Sequence, residues 1–114
     1  MSIHDFSLAD GTIQDIRLQG DDVEVTCQLW DHRNICLLFA GTAAMKAFSP
    51  LGRETGQLLC RDHSPLLDEL HREILSSGGS TEELARLRSY AFLSPWDDQV
   101  LLELLATGVE TFLP

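Results

Sequence analysis

The cleanest alternation of apolar and polar positions runs from Asp22 to Gly41. Val23, Val25, Cys27 and Leu29 occupy the odd positions, with Glu24, Thr26 and Gln28 between them. Period two with β-branched residues predicts a strand with one buried face. Trp30 to Asn34 supplies polar turn material, and Ile35 to Ala40 follows as a short apolar strand closed by Gly41. Parity fixes the register. A loop of odd length places Val25 opposite Phe39, Cys27 opposite Leu37 and Leu29 opposite Ile35, so that one face is wholly apolar. A two-residue loop would set Cys27 opposite Cys36 and turn Ile35, Leu37 and Phe39 onto the polar face. Each misplaced large side chain forfeits roughly 1.5–3 kcal/mol of burial, which exceeds any turn preference. The odd loop is therefore expected, with Cys27 and Cys36 not bonded to each other. Cys36, Leu38 and Ala40 face the other way, and that apolar side predicts partial cover.

The flanking segments extend this hairpin. Thr12 to Gln19 reads as a strand in which Ile13 is out of phase with Ile16 and Leu18, so a bulge is expected near Gln14-Asp15. Residues 1–10 read as a short mixed segment ending in an Asp10-Gly11 turn, with Ile3, Phe6 and Leu8 as anchors. Gly20-Asp21-Asp22 turns the chain, making the first forty residues a three-stranded meander. Thr42 to Phe48 fits a strand or a helical turn equally well; Ser49 to Gly52 is a turn, and Gln57 to Cys60 a short extended piece. Ser64-Pro65 opens the clearest helix, with Ser64 as N-cap and Pro65 at the first helical position. Leu66, Leu67, Leu70, Ile74 and Leu75 form its apolar face, and Gly78 its left-handed stop. Ser80 to Glu83 reads as a capping box opening a short helix through Arg88, with Leu84 and Leu87 inward.

Ser89 to Ser94 is expected to be a strand. The segment from Val100 to Gly108 carries helix signals, but a hairpin reading gives Tyr90 to Leu93 a partner and is preferred. Pro95 to Asp98 is then its turn and Val100 to Phe112 its second strand. The expected fold is α+β, one domain over residues 1–114: an antiparallel meander of about five strands packed against one main helix and one short helix.

Charge changes the picture more than composition does. Eighteen acids against eight bases give a net charge of −10. A field of that sign repels nucleic acid and anionic membrane, and speeds encounter with a basic protein. The N-terminus lacks a basic region and apolar core of signal-peptide type, so a cytoplasmic location is expected. Three cysteines make no disulfide framework and are expected to be buried free thiols.

Candidate chemistry is sparse. His4-Asp5 is a dipeptide that metal phosphohydrolases use, but without their further ligands it reads as a surface or capping pair. Cys60-Arg61-Asp62-His63 has C-x-x-H spacing, though no second ligand pair lies nearby and no residue is placed to orient a nucleophile. Gly78-Gly79 reads as a helix terminus and not as a phosphate cradle. No metal and no cofactor are therefore expected. Trp30 and Trp96 stand beside aspartates at turns, the combination expected where a protein meets a basic partner. The expected partner-binding residues are Asp21, Asp22, Trp30, Asp31, Trp96, Asp97 and Asp98.

His4-Asp5, Asp10-Gly11, Leu37-Leu38-Phe39-Ala40-Gly41, Tyr90-Ala91-Phe92, Trp96-Asp97-Asp98 and Val100-Leu101-Leu102-Glu103 follow one another in this order. In that order the chain resembles small bacterial α+β proteins of the immunity type, found in polymorphic toxin systems. The usual small residue after His-Asp is Phe6 here. The resemblance implies an antiparallel sheet with one or two helices and no catalytic residues. The expected function is non-enzymatic: an acidic inhibitor that neutralises a toxin. The alternatives are an adaptor homodimer pairing exposed strands and, behind it, a metal- or thiol-dependent enzyme using Cys60 and His63.

Overall fold

The computed structural model describes residues 5–79 and 81–112. It is a mostly-β protein, one eight-stranded antiparallel sheet with a single helix. The strands are β1 (Asp5–Gln19), β2 (Asp22–Gln28), β3 (Asn34–Ala40), β4 (Ala44–Ala47), β5 (Glu54–Arg61), β6 (Arg88–Leu93), β7 (Val100–Ala106) and β8 (Gly108–Phe112). Helix α1 (Pro65–Ser76) lies between β5 and β6, followed by a five-residue helical turn at Thr81–Ala85. The expected α+β meander of five strands and two helices is thereby overturned. Thr42 to Phe48 yields a strand, the extended piece at 57–60 grows into β5, and the second helix shrinks to one turn. The Asp10-Gly11 turn is also corrected, since both residues lie inside the long β1.

The strand order is β4-β7-β6-β5-β1-β2-β3-β8, and its two ends belong together. β3 and β4 are consecutive stretches of one chain segment, as are β7 and β8. Pairing runs from Cys36↔Phe112 to Ala40↔Gly108, then resumes at Ala44↔Leu105 and continues to Ala47↔Leu102. Thr107 N donates to Ala40 O at 2.9 Å, and Ala43 N to Leu105 O at 2.8 Å, carrying the ladder across the break. Gly41 makes the bend. Its φ is 58°, and a Cβ there would lie 2.8 Å from Thr107 Oγ1, so a side chain is excluded twice over. β1 bends likewise: its first half pairs with β5 and its second half with β2.

Three strands thus turn a corner, and the sheet folds over into two layers, β8-β3-β2-β1 and β4-β7-β6-β5-β1. The core fills the space between them. Ile13, Val25, Leu37 and Phe39 come from one layer, and Leu58, Phe92, Leu102 and Leu104 from the other. Phe39 meets Tyr90 and Phe92 edge to face, with ring centroids 5.4 and 6.0 Å apart. Strands β5, β1 and β2 separate β3 from β6 along the sheet, so these contacts exist only because the sheet folds.

The β2–β3 hairpin keeps the expected parity. Val23, Val25 and Cys27 share the buried face with Ile35, Leu37 and Phe39. The partners are shifted by two residues, however: Val25 pairs with Leu37 and Cys27 with Ile35. The loop is the shorter odd one, because Leu29 N donates to Arg33 O and leaves Trp30-Asp31-His32 between them. His32, at φ 67°, supplies the left-handed residue that ends such a three-residue loop. The bulge expected near Gln14 is present, as the β1–β2 register shifts between Ile13 and Asp15. Cys27 and Cys36 are both free.

α1 covers the outer face of the second layer. Ser64 Oγ accepts from Leu67 N at 3.1 Å, and Pro65 opens the helix, as the sequence indicates. Leu67, Leu84, Leu87 and Leu105 form a second buried cluster, with Leu70 and Ile74 partly buried beside it. β7 therefore has apolar neighbours on both faces. Ser80, the expected N-cap of the second helix, lies outside the described residues, as do His4 and Ile3 and the side chains of Phe6, Leu8 and Glu83.

Candidate interaction surface

The sequence-derived site residues occupy three turns. Asp21 is exposed in the β1–β2 turn, whereas Asp22 is half-buried and accepts a hydrogen bond from Gly41 N at 3.1 Å. Asp22 is thus part of the corner, holding the bend at Gly41 against the start of β2. In the β2–β3 loop Trp30 is 69 % exposed. Its neighbour Asp31 is taken up locally, since its carboxylate receives both the backbone N–H and the guanidinium of Arg33. Desolvation opposes ionisation of Asp31, but these contacts with Arg33 prevail and hold its carboxyl below the usual range.

The β6–β7 turn carries the more exposed of the two tryptophans. Trp96 is 85 % exposed, the highest value among the large apolar side chains of the described residues. Asp97 and Asp98 are exposed beside it. Asp97 Oδ1 accepts from Gln99 N at 3.2 Å, and Ser94 Oγ from Trp96 N at 3.4 Å. Asp98 sits at φ 55°, a left-handed turn conformation that aspartate tolerates better than most side chains. Pro95 packs against Gly56, where a Cβ would lie 3.1 Å from the proline ring. Thr55 Oγ1 donates to Leu93 O at 2.9 Å just below.

The β4–β5 loop reaches the same end of the molecule. Phe48 N donates to Leu101 O at 3.0 Å, and Gly52 N to Ile13 O at 2.7 Å. Its Phe48 and Leu51 are about half exposed, and Lys46 lies over the Phe48 ring at 5.5 Å. This end carries the large apolar side chains of Trp96, Phe48 and Leu51 with Asp97, Asp98 and Glu54, and the bases Lys46 and Arg53 stand among them. Neither Phe48 nor Leu51 is legible as a surface residue in the sequence, because nothing in an ambiguous segment and a Ser-Pro turn indicates which side faces solvent.

A second feature lies at the corner. An open groove of about 250 Å³ is lined by Leu18, Asp21, Val23, Thr42, Ala44 and Met45. Leu18 is 69 % exposed despite its place in a strand. Leu18 pairs with the buried Val23 near the β1–β2 turn, yet its own side chain stays open to the groove.

Among the described residues one buried acid anchors a polar cluster on the outer face of β5, β6 and β7. Glu103 is the single acid within the apolar run of β7, and it is buried. Its Oε2 accepts from Ser89 Oγ at 2.6 Å and pairs with Arg61 Nη2 at 3.3 Å. The three side chains tie three neighbouring strands together beneath the helical layer. An acid inside an apolar run was the available signal for this cluster.

The C-x-x-H pair does not converge. Cys60 packs against the central core beside Tyr90, while His63 is exposed in the connection to α1. Among the described residues no group of three or more His, Cys, Asp and Glu side chains is placed to hold a metal ion. Burial, and secondarily Cys36, pushes the Cys27 thiol up to about 12, so Cys27 stays protonated and unreactive at neutral pH. No helix is long and apolar enough to cross a membrane among the described residues. No protein-family model, curated protein or solved structure matches the chain.

Proposed function

We infer that this chain is a non-enzymatic binding protein for a basic protein partner, and that it acts as an inhibitor of the immunity type. The observation that carries this reading is the β6–β7 turn. A tryptophan 85 % exposed stands between a fixed turn and two exposed carboxylates in a chain of net charge −10. Tryptophan is the side chain most able to anchor an interface, and acids around it select a cationic partner and speed its arrival. Phe48 and Leu51 at the same end widen the apolar contact. Asp21 adds charge at the corner, whereas Asp31 has already spent its carboxylate on Arg33.

Affinity capture from the native host at low and at high salt tests this. A partner of high isoelectric point is expected, released as salt rises, and bound less by Trp96→Ala and by Asp97→Asn/Asp98→Asn. Co-expression of that partner with this chain should relieve its toxicity, and the Trp96→Ala chain should relieve it less. Capture of no protein at low salt, or of an acidic partner indifferent to salt, would overturn the reading.

A further inference from the structure

The free edge of β4 has a use beyond the exposed turns. On the side of β3 that faces β2, the last hydrogen bond of the ladder is donated by Thr42 N to Asp21 O, at 2.6 Å. The chain has turned away at Gly20-Asp21, so no strand flanks β4 on that side among the described residues. On the other side β4 pairs with β7, and Phe48 N still faces β7 through its bond to Leu101 O. Backbone groups alternate between the two edges of a strand. Lys46 therefore bonds toward β7, whereas the N–H and C=O of Met45 and Ala47 point to the open side. Their side chains share a face with Leu104 and Leu102, the inner face of the layer. Met45 consequently lines the open groove with Leu18 and Val23.

We propose that this edge receives an extended segment of the basic partner as an added strand, with alternate apolar side chains entering the groove and cationic ones meeting the acids at its two ends. Strand addition supplies main-chain hydrogen bonds for affinity and a groove for every second side chain. Charge selects the occupant. Asp21 lines the groove beside the start of β4, and Asp97 and Asp98 stand beyond its other end, in the turn on the far side of β7. None of these three carboxylates has an ion pair among the described residues. A second copy of this chain is disfavoured as occupant, since it would bring a second charge of −10 to the same edge. With apolar side chains in the groove, the alternate cationic ones fall on the outer face with Lys46, whose ammonium lies over the Phe48 ring; the net charge and the acids beyond the ends of β4, not that face, favour a basic segment. The proposal rests on the basic-partner reading above and adds its mode of contact.

The test uses the isotopically labelled full chain and three synthetic peptides. One alternates Lys and Val; the second is identical but N-methylated at every residue, so that neither of its edges can donate; the third alternates Glu and Val. The Lys-Val peptide is expected to shift the amides of Met45 and Ala47 and slow their hydrogen exchange. N-methylation keeps the charge but removes strand pairing, and should weaken binding by about tenfold or more. The Glu-Val peptide should not bind. Ala47→Pro removes an outward donor without breaking a bond to β7, and should weaken the Lys-Val peptide alone. If that variant fails to fold, the N-methylated peptide still decides. Equal binding of both Lys peptides would overturn strand addition while leaving an acidic binding surface in place. No protection of Met45 and Ala47 by the Lys-Val peptide also overturns it, and salt-sensitive partner capture then judges the broader reading separately. If sedimentation gives a dimer whose Met45 and Ala47 amides are protected without peptide, a second copy occupies the edge and the proposal falls.

Discussion

β7 and β4 are hydrogen-bonded neighbours in one sheet, yet they live in opposite environments. Leu101 to Ala106 are all buried, with the inter-layer core on one side of β7 and the helical layer on the other. β4 is four residues long, and none of its side chains is buried. The same ladder joins both strands, so backbone pairing does not decide where stability resides. Side-chain burial decides it. A strand that contributes little packing can be left at an edge, where its unpaired groups are available to another molecule.

The largest effects should separate these two strands. Leu104→Ala deletes a fully buried side chain from the inter-layer core, and about 2–5 kcal/mol of stability should be lost. Met45→Ala, its cross-strand neighbour on β4, should change stability by no more than about 0.5 kcal/mol. Urea unfolding of the two variants checks the contrast, and equal losses would erase it. Next comes the polar tie on β7. Glu103→Ala leaves the buried Ser89 hydroxyl without its acceptor and Arg61 without its counter-charge, though Arg61 Nη2 still reaches Ser89 Oγ, which should cost about 1–3 kcal/mol. Arg61 is partly exposed, so the lower part of that range is expected. Smaller again is the cap of the layer covering β7. Ser64→Ala removes the bond to Leu67 N, and about 0.5–2 kcal/mol should go with it.

The same contrast explains what the sequence discloses. β2 alternates because one of its faces is wet, and Glu24, Thr26 and Gln28 announce that face. α1 is legible for a similar reason: Ser64, Pro65 and Gly78 mark its ends, and Gly78 has the left-handed φ of 80° that a helix stop demands. β7 is harder, since a strand dry on both faces loses its alternation and imitates a buried helix. Only the need of Tyr90 to Leu93 for a partner points to strand there. β4 carries almost no signal, because an exposed edge selects for neither face. The folding of the sheet into two layers is not legible at all. It depends on Gly41, Thr107 and the bulged β1, where local residues show a bend but not which strands it brings together. Among the site residues the turns at Asp21, Trp30 and Trp96 are found from sequence, while Leu18, Met45, Phe48 and Leu51 emerge only once burial is known.

The smallest expected effect lies in the β2–β3 turn, a wet counterpart to both strands. Asp31 is a carboxylate whose contacts with Arg33 lower its pKa from the ordinary 3.8. A depressed carboxyl binds its proton less readily in the folded chain than in the unfolded one. Its contribution to stability is therefore present above 3.8 and lost as pH falls through the lower folded value. Because Asp31 is only partly covered and its partner Arg33 is exposed, the change in unfolding free energy should be near the limit of detection, as for other surface pairs. The titration itself is the sharper measurement. Followed by the carboxyl carbon resonance, Asp31 should titrate below 3.8 in the native chain and move back up in Arg33→Ala. If Arg33→Ala leaves the midpoint where it was, Arg33 does not hold the carboxylate. Asp31 then regains equal standing with Asp21, Asp97 and Asp98 as a contact for a cationic partner.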